Sequence, residues 1–570
     1  MTVAFPPTTS LHDPDLDPDE EGSAPRRARS PATSIEPGPP IRPAPAAAEG
    51  SQPEPSSELP EPPDRARSSD FGSMLADLSR QDENPRLRLH DRTHLEISID
   101  YDLVPAAAGG ADRQTFLWEA YFFAPESLRI DSRTYRKEDV YEDLQSYVRL
   151  AVPEVPYEEL PRGPLDRVEA AIAKGAVEEA TREMRLFVSQ VRAAGVGLRR
   201  RLLDDLTGAA SVRSPALARL ERMVDDTSAL VRRARSVLRP PEGAPEELAS
   251  ASAWIEEDLS RLVETMMADL ALGLRQRDVP AALLARVEAL AVGEARYRDE
   301  SGLGGVGRKG MGSRQLEALE FRRHVLKRFT SSVLWLKPEV RPASEWVLHL
   351  LYALAASVAM GFALVAALWN GMDVGENYVR WAIVAIVAYA AKDRIKALLQ
   401  TLFANVVSRH FPDRSWQIFD LEKRFELGSM EEQAGFIGFS ELPEDVLTVR
   451  RSTRRHPLEE RARPETVLFH RKEITLDRAK IAGLDRRFDA LTEILRLDLR
   501  RWLAHTDDAK REFVYADPDA GIGSAVAPRV YNIGLIYRLR SGGSEGAKEP
   551  WHRARIVVTR KGIRRIDPVQ

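Results

Sequence analysis

Residues 346–369 read WVLHLLYALAASVAMGFALVAALW, and this stretch decides the class of the protein. It has 24 residues and a single ionisable side chain, His349. At about 1.5 Å per residue, a helix of this length covers roughly 36 Å, more than the roughly 30 Å hydrocarbon core of a bilayer. Trp346 and Trp369 at its ends fit the aromatic belts at the two membrane interfaces. The stretch, which also contains Gly361, is therefore predicted to be a transmembrane helix.

A second apolar stretch, residues 379–391, is shorter and contains Arg380. The charges around the two stretches decide its interpretation. Basic residues come before the first stretch (Arg322, Arg323, Lys327, Arg328) and after the second (Lys392, Arg394, Lys396), whereas the connection at 370–378 has no Lys or Arg. Because basic flanks stay on the cytoplasmic side, where they meet anionic inner-leaflet lipids, two crossings are expected.

The position of the second span has two versions. In the first, Tyr378 to Ala391 spans, and Arg380 and Lys392 extend to opposite interfaces. In the second, the span runs from Trp381 to Val407 and places Lys392 to Lys396 near the middle of the bilayer. The first version is favoured, because each central charge costs about 2.5–3.5 kcal/mol and needs a polar pathway.

Small residues recur every fourth position on the first predicted span. Ala355, Ala359, Ala363 and Ala367 share one face, with Gly361 close by. Small side chains let two helix backbones approach closely. The face is predicted either to hold the hairpin together within one chain or to build a homo-oligomeric core.

The composition of the 570 residues limits the other classes. There is no cysteine, which excludes disulfides, thiol nucleophiles and Cys-ligated metal clusters. A net charge of −5 argues against a nucleic-acid binder. Arg outnumbers Lys 69 to 13, which suits a bacterium with a GC-rich genome. The expected location is integral to the inner membrane of a bacterium, with both termini cytoplasmic.

The first 82 residues are predicted to be a disordered, acidic tail. They include 16 of the chain's 38 prolines and few large apolar side chains, so they cannot bury enough surface to offset their ordering entropy. The tail is either a solvated segment or a docking segment for an unknown basic partner.

Strand patterns are predicted near both ends of the ordered chain. In an α+β segment at 83–160, Leu95, Ile97 and Ile99 alternate with polar residues, and the stretch 115–124 is expected to pair with them as a hairpin. Residues 161–341 have helical periodicity and predict four to six cytoplasmic helices. The hairpin and its amphipathic helical extension occupy 342–409.

The C-terminal region, 410–570, is predicted to be α+β as well. Asp477 is expected to cap a helix whose apolar stripe runs from Ile481 to Trp502, and residues 530–540 and 552–560 to form a second β-hairpin. The two hairpins either join one sheet or pack on separate helices. The expected fold class is an α+β membrane protein: a two-helix transmembrane hairpin, a mostly helical cytoplasmic region and short antiparallel β-hairpins near both ends.

Motifs for chemistry are weak. Gly302, Gly304 and Gly307 match G-x-G-x-x-G, but the segment before them is helical, and a dinucleotide site needs a strand there. His90, Asp91 and His94 lack further ligands at metal-like spacing. No residue is therefore singled out as catalytic, and neither a cofactor nor a metal is expected.

These patterns favour a non-enzymatic, membrane-anchored cytoplasmic protein that senses, scaffolds or recruits a protein partner. The alternative is an oligomeric channel or pore-forming effector lined by residues 381–407. A membrane-tethered enzyme of unknown chemistry is the third hypothesis.

Overall fold

The computed structural model describes residues 84–568, apart from 106–110, 209, 342–344, 372–377, 422–424, 453–464 and 543–548. The predicted tail, residues 1–82, lies outside the described residues.

The strands are labelled in chain order. They are β1 (Arg86–Leu89), β2 (His94–Asp102), β3 (Arg113–Pro125), β4 (Leu144–Leu150), β5 (Leu336–Arg341), β6 (Arg414–Asp420), β7 (Glu426–Ile437), β8 (Glu465–Asp477), β9 (Ala490–Asp498), β10 (Lys510–Asp517), β11 (Gly521–Pro528), β12 (Tyr531–Ser541), β13 (His552–Thr559) and β14 (Gly562–Pro568).

Two sheets face each other and share one apolar core. The smaller has the order β1-β2-β9-β4 and the larger β14-β13-β12-β3-β8-β7-β6-β5, with antiparallel pairing throughout. Side chains from both sheets meet between them, as where the Tyr101 and Phe116 rings lie 5.4 Å apart. The sheets also touch at both margins: Ile563 N donates to Arg92 O at 2.6 Å, and Arg149 forms a bridge with Trp335. The result is a twelve-stranded sandwich with joined edges.

The predicted fold class is wrong in its β part. Strands from both ends of the chain belong to these extensive sheets: β12 and β13 pair as the predicted C-terminal hairpin, but within the eight-stranded sheet. β2 does not pair with β3: β2 lies beside β9, while β3 lies between β8 and β12. β3 has apolar residues on both faces, so it is stable only where both faces are covered. The two predicted end regions thus share one sheet.

The predicted helix from Asp477 to Trp502 is also wrong over most of its length. A helix capped by the Asp477 side chain covers only Arg478–Leu484, and residues 490–498 form the central strand β9. Both faces of β9 are buried, so its apolar residues follow one another closely and imitate a helical stripe.

The helices are also labelled in chain order. They are α1 (Lys137–Asp143), α2 (Gly163–Ala173), α3 (Val177–Asp205), α4 (Ala210–Val237), α5 (Glu246–Leu274), α6 (Ala281–Glu300), α7 (Ser313–Ser331), α8 (Glu345–Gly371), α9 (Tyr378–His410), α10 (Glu444–Arg451), α11 (Arg478–Leu484) and α12 (Arg500–Leu503).

Helices α2 to α6 form a unit with its own apolar core, which includes Phe187, Leu230, Ile255, Leu262 and Val287. Large apolar side chains fill this core completely; Leu230, Ile255 and Val287 are 0% exposed. The helical unit thus buries most of its large apolar residues on the inner faces of its helices, as is typical of amphipathic helices.

Helices α8 and α9 form a contacting pair between β5 and β6. Among the described residues, only His349–Trp369 in α8 is long and apolar enough to cross a membrane. In α9 the apolar run is short, because Lys392, Asp393, Arg394 and Lys396 interrupt it. The predicted two-helix transmembrane hairpin is therefore wrong: the protein is a mixed helix-and-sheet structure with one candidate spanning helix.

Substituting Gly562 with Ala should destabilise the joint between β14 and β1. Gly562 has φ +129°, and a Cβ there would lie 2.2 Å from the backbone oxygen of Arg92. We expect a loss of about 1–3 kcal/mol in the free energy of unfolding, measured by chemical denaturation.

Gly293→Ala in α6 is the matched control. A Cβ there meets nothing within 4 Å, so the helix should gain about 0.5–1 kcal/mol. Equal stability of the Gly562→Ala variant and the unsubstituted protein would contradict a tight joint.

Candidate functional site

The surface of α8 is apolar and open. Only 11% of the window His349–Trp369 is buried, although its mean hydropathy is 2.1. Large apolar side chains face outward: Leu364 is 59% exposed and Leu368 65%. α9 repeats the arrangement with exposed Ile383, Ile386 and Val387. A contiguous apolar surface of this kind marks a site that contacts lipid or another protein.

The face between the two helices is made of small residues. Ala355 and Ala359 of α8 are 0% and 1% exposed, and Ala363 is half-buried. Within residues 382–390 of α9, Ala382, Ala385 and Ala388 are the less exposed positions. The pair therefore has small residues inside and large apolar residues outside, the reverse of the helical unit. This arrangement is typical of helices that pack within lipid, where close backbone contact drives association.

The remaining predicted residues of this segment have different surroundings. Ala367, Gly361 and Trp369 are exposed, and a Cβ at Gly361 would meet nothing within 4 Å. Gly361 therefore does not mediate a close contact in this chain. The side chains of Trp346 and Trp381 lie outside the described residues.

The basic residues of α7 are mostly engaged within the protein. Arg322 donates two hydrogen bonds of 2.6 Å to the buried Glu257 of α5. Arg323 bonds Glu320 at 2.6 Å, and the guanidinium of Arg328 lies 5.5 Å from the Trp335 ring centre. Lys327 is close to these residues on the same helix, and its carbonyl accepts from Thr330. These basic residues of α7 thus make contacts within the protein, and Arg322 in particular neutralises the charge of the buried Glu257 carboxylate.

The basic residues of α9 are placed differently. Arg394 and Lys396 are exposed beside the apolar surface. The Lys392 ammonium lies 4.1 Å from the Tyr389 ring centre and 3.8 Å from the Asp393 carboxylate. These side chains are thus at the helix surface, next to large apolar neighbours.

A charged network missed by the sequence analysis lies between the two sheets. Lys472 of β8 forms an ion pair with Glu493 of β9, and both are 0% exposed. Glu493 also accepts hydrogen bonds from Tyr101 at 2.6 Å and Ser146 at 2.5 Å. The network therefore links strands β2, β4 and β9 of the smaller sheet to β8 of the larger one.

The network continues along the larger sheet through a histidine. Trp118 Nε1 donates to His470 Nδ1 at 3.1 Å, so the ring proton sits on Nε2, which donates to Glu432 at 2.8 Å. Glu432 is also 3.9 Å from the Lys472 ammonium. The two carboxylates thus share the charge of one lysine.

The surroundings shift the pKa values of these groups. Burial alone would raise the pKa of Glu432, but Lys472 and His470 outweigh it and lower this pKa to about 2. Burial alone would lower the pKa of Lys472, but Glu493 and Glu432 raise it. Burial and the neighbouring Glu493 raise the pKa of Tyr101 well above its usual value. Lys472 and Glu432 therefore carry opposite charges at neutral pH.

The alternation in β8 is the signal that could have revealed the network. Leu468, His470, Lys472, Ile474 and Leu476 occupy every second position, and all five are buried. Two ionisable residues in phase with apolar ones predict buried, paired polar groups. The arrangement holds the two sheets in register, because a slip by one residue would turn Lys472 away from Glu493.

The predicted cluster of His90, Asp91 and His94 lies at the turn between β1 and β2. Among the described residues, no group of three His, Asp or Glu side chains is arranged to hold a metal ion. Asp91 and His94 instead contact each other, with His94 Nδ1 2.8 Å from Asp91 Oδ2. Asp91 Oδ1 also accepts the backbone N–H groups of Thr93 and His94, so the pair caps a turn before β2.

Comparison with known proteins identifies no relative: no family model, curated protein or solved structure matches this chain.

Ala359→Leu should force α8 and α9 apart. Ala359 is completely buried, so a larger side chain overpacks the contact and costs about 1–3 kcal/mol. We expect a lower thermal unfolding midpoint for the purified chain in detergent.

Ala367→Leu makes the same change on an exposed site of α8 and should shift stability by less than about 0.5 kcal/mol. Similar effects of the two variants would show that the alanine face is not a packing surface.

Acid should weaken the sandwich through Glu432. Its pKa is about 2 in the folded protein and 4.5 in its ordinary state, so only the unfolded chain takes up a proton between these pH values. The stabilisation that ionised Glu432 gives to the folded protein is complete above about pH 4.5 and is lost as the pH falls towards 2.

Glu432→Gln keeps an acceptor for His470 but removes this titration. The free energy of unfolding, measured by urea denaturation at several pH values, should therefore depend less steeply on pH in the variant. Identical slopes would rule out Glu432 as a source of acid sensitivity.

Proposed function

We propose that the protein is a membrane-anchored, non-enzymatic scaffold whose anchor is α8, packed against α9. The observation that supports it most is the inverted helix pair, with alanines inside and large apolar side chains outside. Exposing such a surface to water is unfavourable by about 25 cal/mol per Å² of apolar area, so it calls for an apolar environment. A lipid bilayer supplies that environment around α8, the one candidate spanning helix among the described residues.

The attachment of the pair to the sandwich supports the same proposal. β5 leads into α8, β6 follows α9, and these two strands pair with each other, for example at Val340 and Trp416. Both ends of the helix pair therefore lie at one margin of the larger sheet. The sandwich is joined to the anchor by two chain segments, which limits its orientation at a membrane surface.

The basic residues of α9 favour an anionic surface. Arg394 and Lys396 are exposed beside the apolar part of the helix, where each is worth roughly 1 kcal/mol near anionic headgroups. By the positive-inside rule, Arg394 and Lys396 favour the cytoplasmic side of the membrane for the sandwich and the helical unit. In that position the two units present their outer surfaces to partners near the membrane.

Flotation of the full-length chain with liposomes of neutral and anionic lipid tests the proposal. The unsubstituted protein should float with the vesicles. Leu364→Lys places a charge on the outward face of α8 and should cost about 2.5–3.5 kcal/mol of insertion, shifting most of the protein to the lipid-free fraction.

Val292→Lys in α6 is the matched control, because Val292 is 56% exposed but lies outside the helix pair. This variant should float like the unsubstituted protein. Failure of the unsubstituted protein to float, or equal loss in both variants, would refute the anchor.

A further inference from the structure

The strands β10 and β11 form a two-stranded ribbon inserted between α12 and β12. Its apolar residues are exposed on both faces: Val514 is 64% exposed, Ile522 86%, and Phe513 more than half. A two-stranded ribbon is only marginally stable in water by itself. Its exposed side chains and edges therefore need a partner.

The hydrogen-bonding direction of β10 shows which groups are available. Arg529 N donates to Ala509 O, so Ala509 and Arg529 are a hydrogen-bonded pair in register with Lys510 opposite Pro528. Bonding alternates along an antiparallel ladder. The odd-numbered residues of β10 consequently bond β11, while Glu512, Val514 and Ala516 direct their backbone N–H and C=O groups to the other edge, where no described strand pairs.

We propose that this edge binds a second copy of the chain, β10 against β10, with the two-fold axis at Val514. In this antiparallel register Arg511 lies opposite Asp517 of the second copy, and Phe513 lies opposite Tyr515. Each contact occurs twice. The interface is thus self-complementary in both charge and aromatic character, as a two-fold contact requires.

The backbone geometry agrees with this register. Val514 meets Val514, and Glu512 meets Ala516, at the positions whose backbone groups point outward. Arg511, Phe513, Tyr515 and Asp517 then occupy the non-hydrogen-bonded positions, where Cα atoms are only about 4.5 Å apart and side chains approach most closely. Cross-strand aromatic and opposite-charge pairs contribute most at such positions.

Neighbouring registers lack this complementarity. An axis at Glu512 places two carboxylates opposite each other. An axis at Phe513 pairs Arg511 with Tyr515, and an axis at Tyr515 pairs Phe513 with Asp517. Only the axis at Val514 matches both the ion pair and the aromatic pair.

The side chains of the ribbon already have positions that are compatible with the proposed four-stranded sheet. Phe513 and Tyr515 already stack with ring centres 6.3 Å apart. The Tyr515 ring lies over Gly523, where a Cβ would come within 2.9 Å of it. Joining two copies would make a four-stranded sheet in which the Phe513 and Tyr515 rings of one copy lie opposite the Tyr515 and Phe513 rings of the other, so that four rings form one cluster. Asp517 Oδ1 accepts the N–H groups of Asp519 and Ala520, which fixes its carboxylate at the strand end and lowers its pKa.

A charge-exchange experiment tests the pairing in the full-length chain. Detergent covers α8 and α9, so sedimentation reports association through other surfaces. The unsubstituted chain should be dimeric. Arg511→Asp and Asp517→Lys each place like charges opposite each other twice and should weaken dimerisation at least about tenfold. An equimolar mixture of the two variants restores opposite charges in the mixed dimer and should recover the association.

Cross-linking gives a second readout, because the chain has no cysteine of its own. Val514→Cys places two thiols opposite each other at the axis and should form a covalent dimer on mild oxidation. Ile522→Cys, which is more exposed but away from the axis, should cross-link at least about tenfold more slowly, because its sulfur atoms cannot reach disulfide distance.

A monomeric unsubstituted chain at micromolar concentration would overturn the proposal. So would a dimer that tolerates both charge variants, or equal cross-linking of the two cysteine variants. These outcomes do not depend on whether the helix pair enters a membrane.

Discussion

Pairing between strands from opposite ends of the chain is the constraint on which the rest of the structure depends. Tyr101 and Glu493 are hydrogen-bonded across 392 positions of sequence, on the adjacent strands β2 and β9. Neither the N-terminal nor the C-terminal strands can bury their apolar faces alone. The helical unit and the helix pair are therefore insertions in a sandwich that closes only when the ends meet.

The buried ion pair of Lys472 and Glu493 makes this closure selective. Each group alone would be a bare charge in an apolar interior, at a cost of several kcal/mol. Only the native register of the two sheets neutralises both, while Tyr101 and Ser146 satisfy the remaining oxygen atoms. The network thus penalises slipped pairings of strands that are otherwise rich in interchangeable apolar residues. The hydrogen bond between His470 of β8 and Glu432 of β7 penalises a slip between these two strands in the same way.

The helix pair follows different packing rules from the rest of the protein. In the helical unit, large side chains such as Ile255 and Val287 are inside. In the pair, alanines are inside and leucines and valines are outside. These two arrangements are opposite within one chain, which is why the helix pair is proposed as the anchor. The pairing of β5 with β6 joins the helix pair to one margin of the larger sheet.

The sequence by itself determined the features that depend on local periodicity and composition. The apolar helix over 346–369 and its alanine face at 355 and 359 could be predicted, because their spacing alone indicates length and packing. The strand at Leu95 to Ile99 could be predicted from its alternation for the same reason.

Only the tertiary structure decided which strands are neighbours. Residues 490–498 resembled a helix because both faces of β9 are buried, so apolar residues are dense and the period of two is lost. The prediction of a second membrane span was wrong, because the charged residues from Lys392 to Lys396 interrupt the apolar part of α9. The basic residues flanking the two apolar stretches had by themselves favoured a second crossing. The alternation in β8 indicates that Lys472 is buried, but its partner and the open edge of β10 were hidden, because the spacing of residues along one strand does not show which strand lies beside or opposite it.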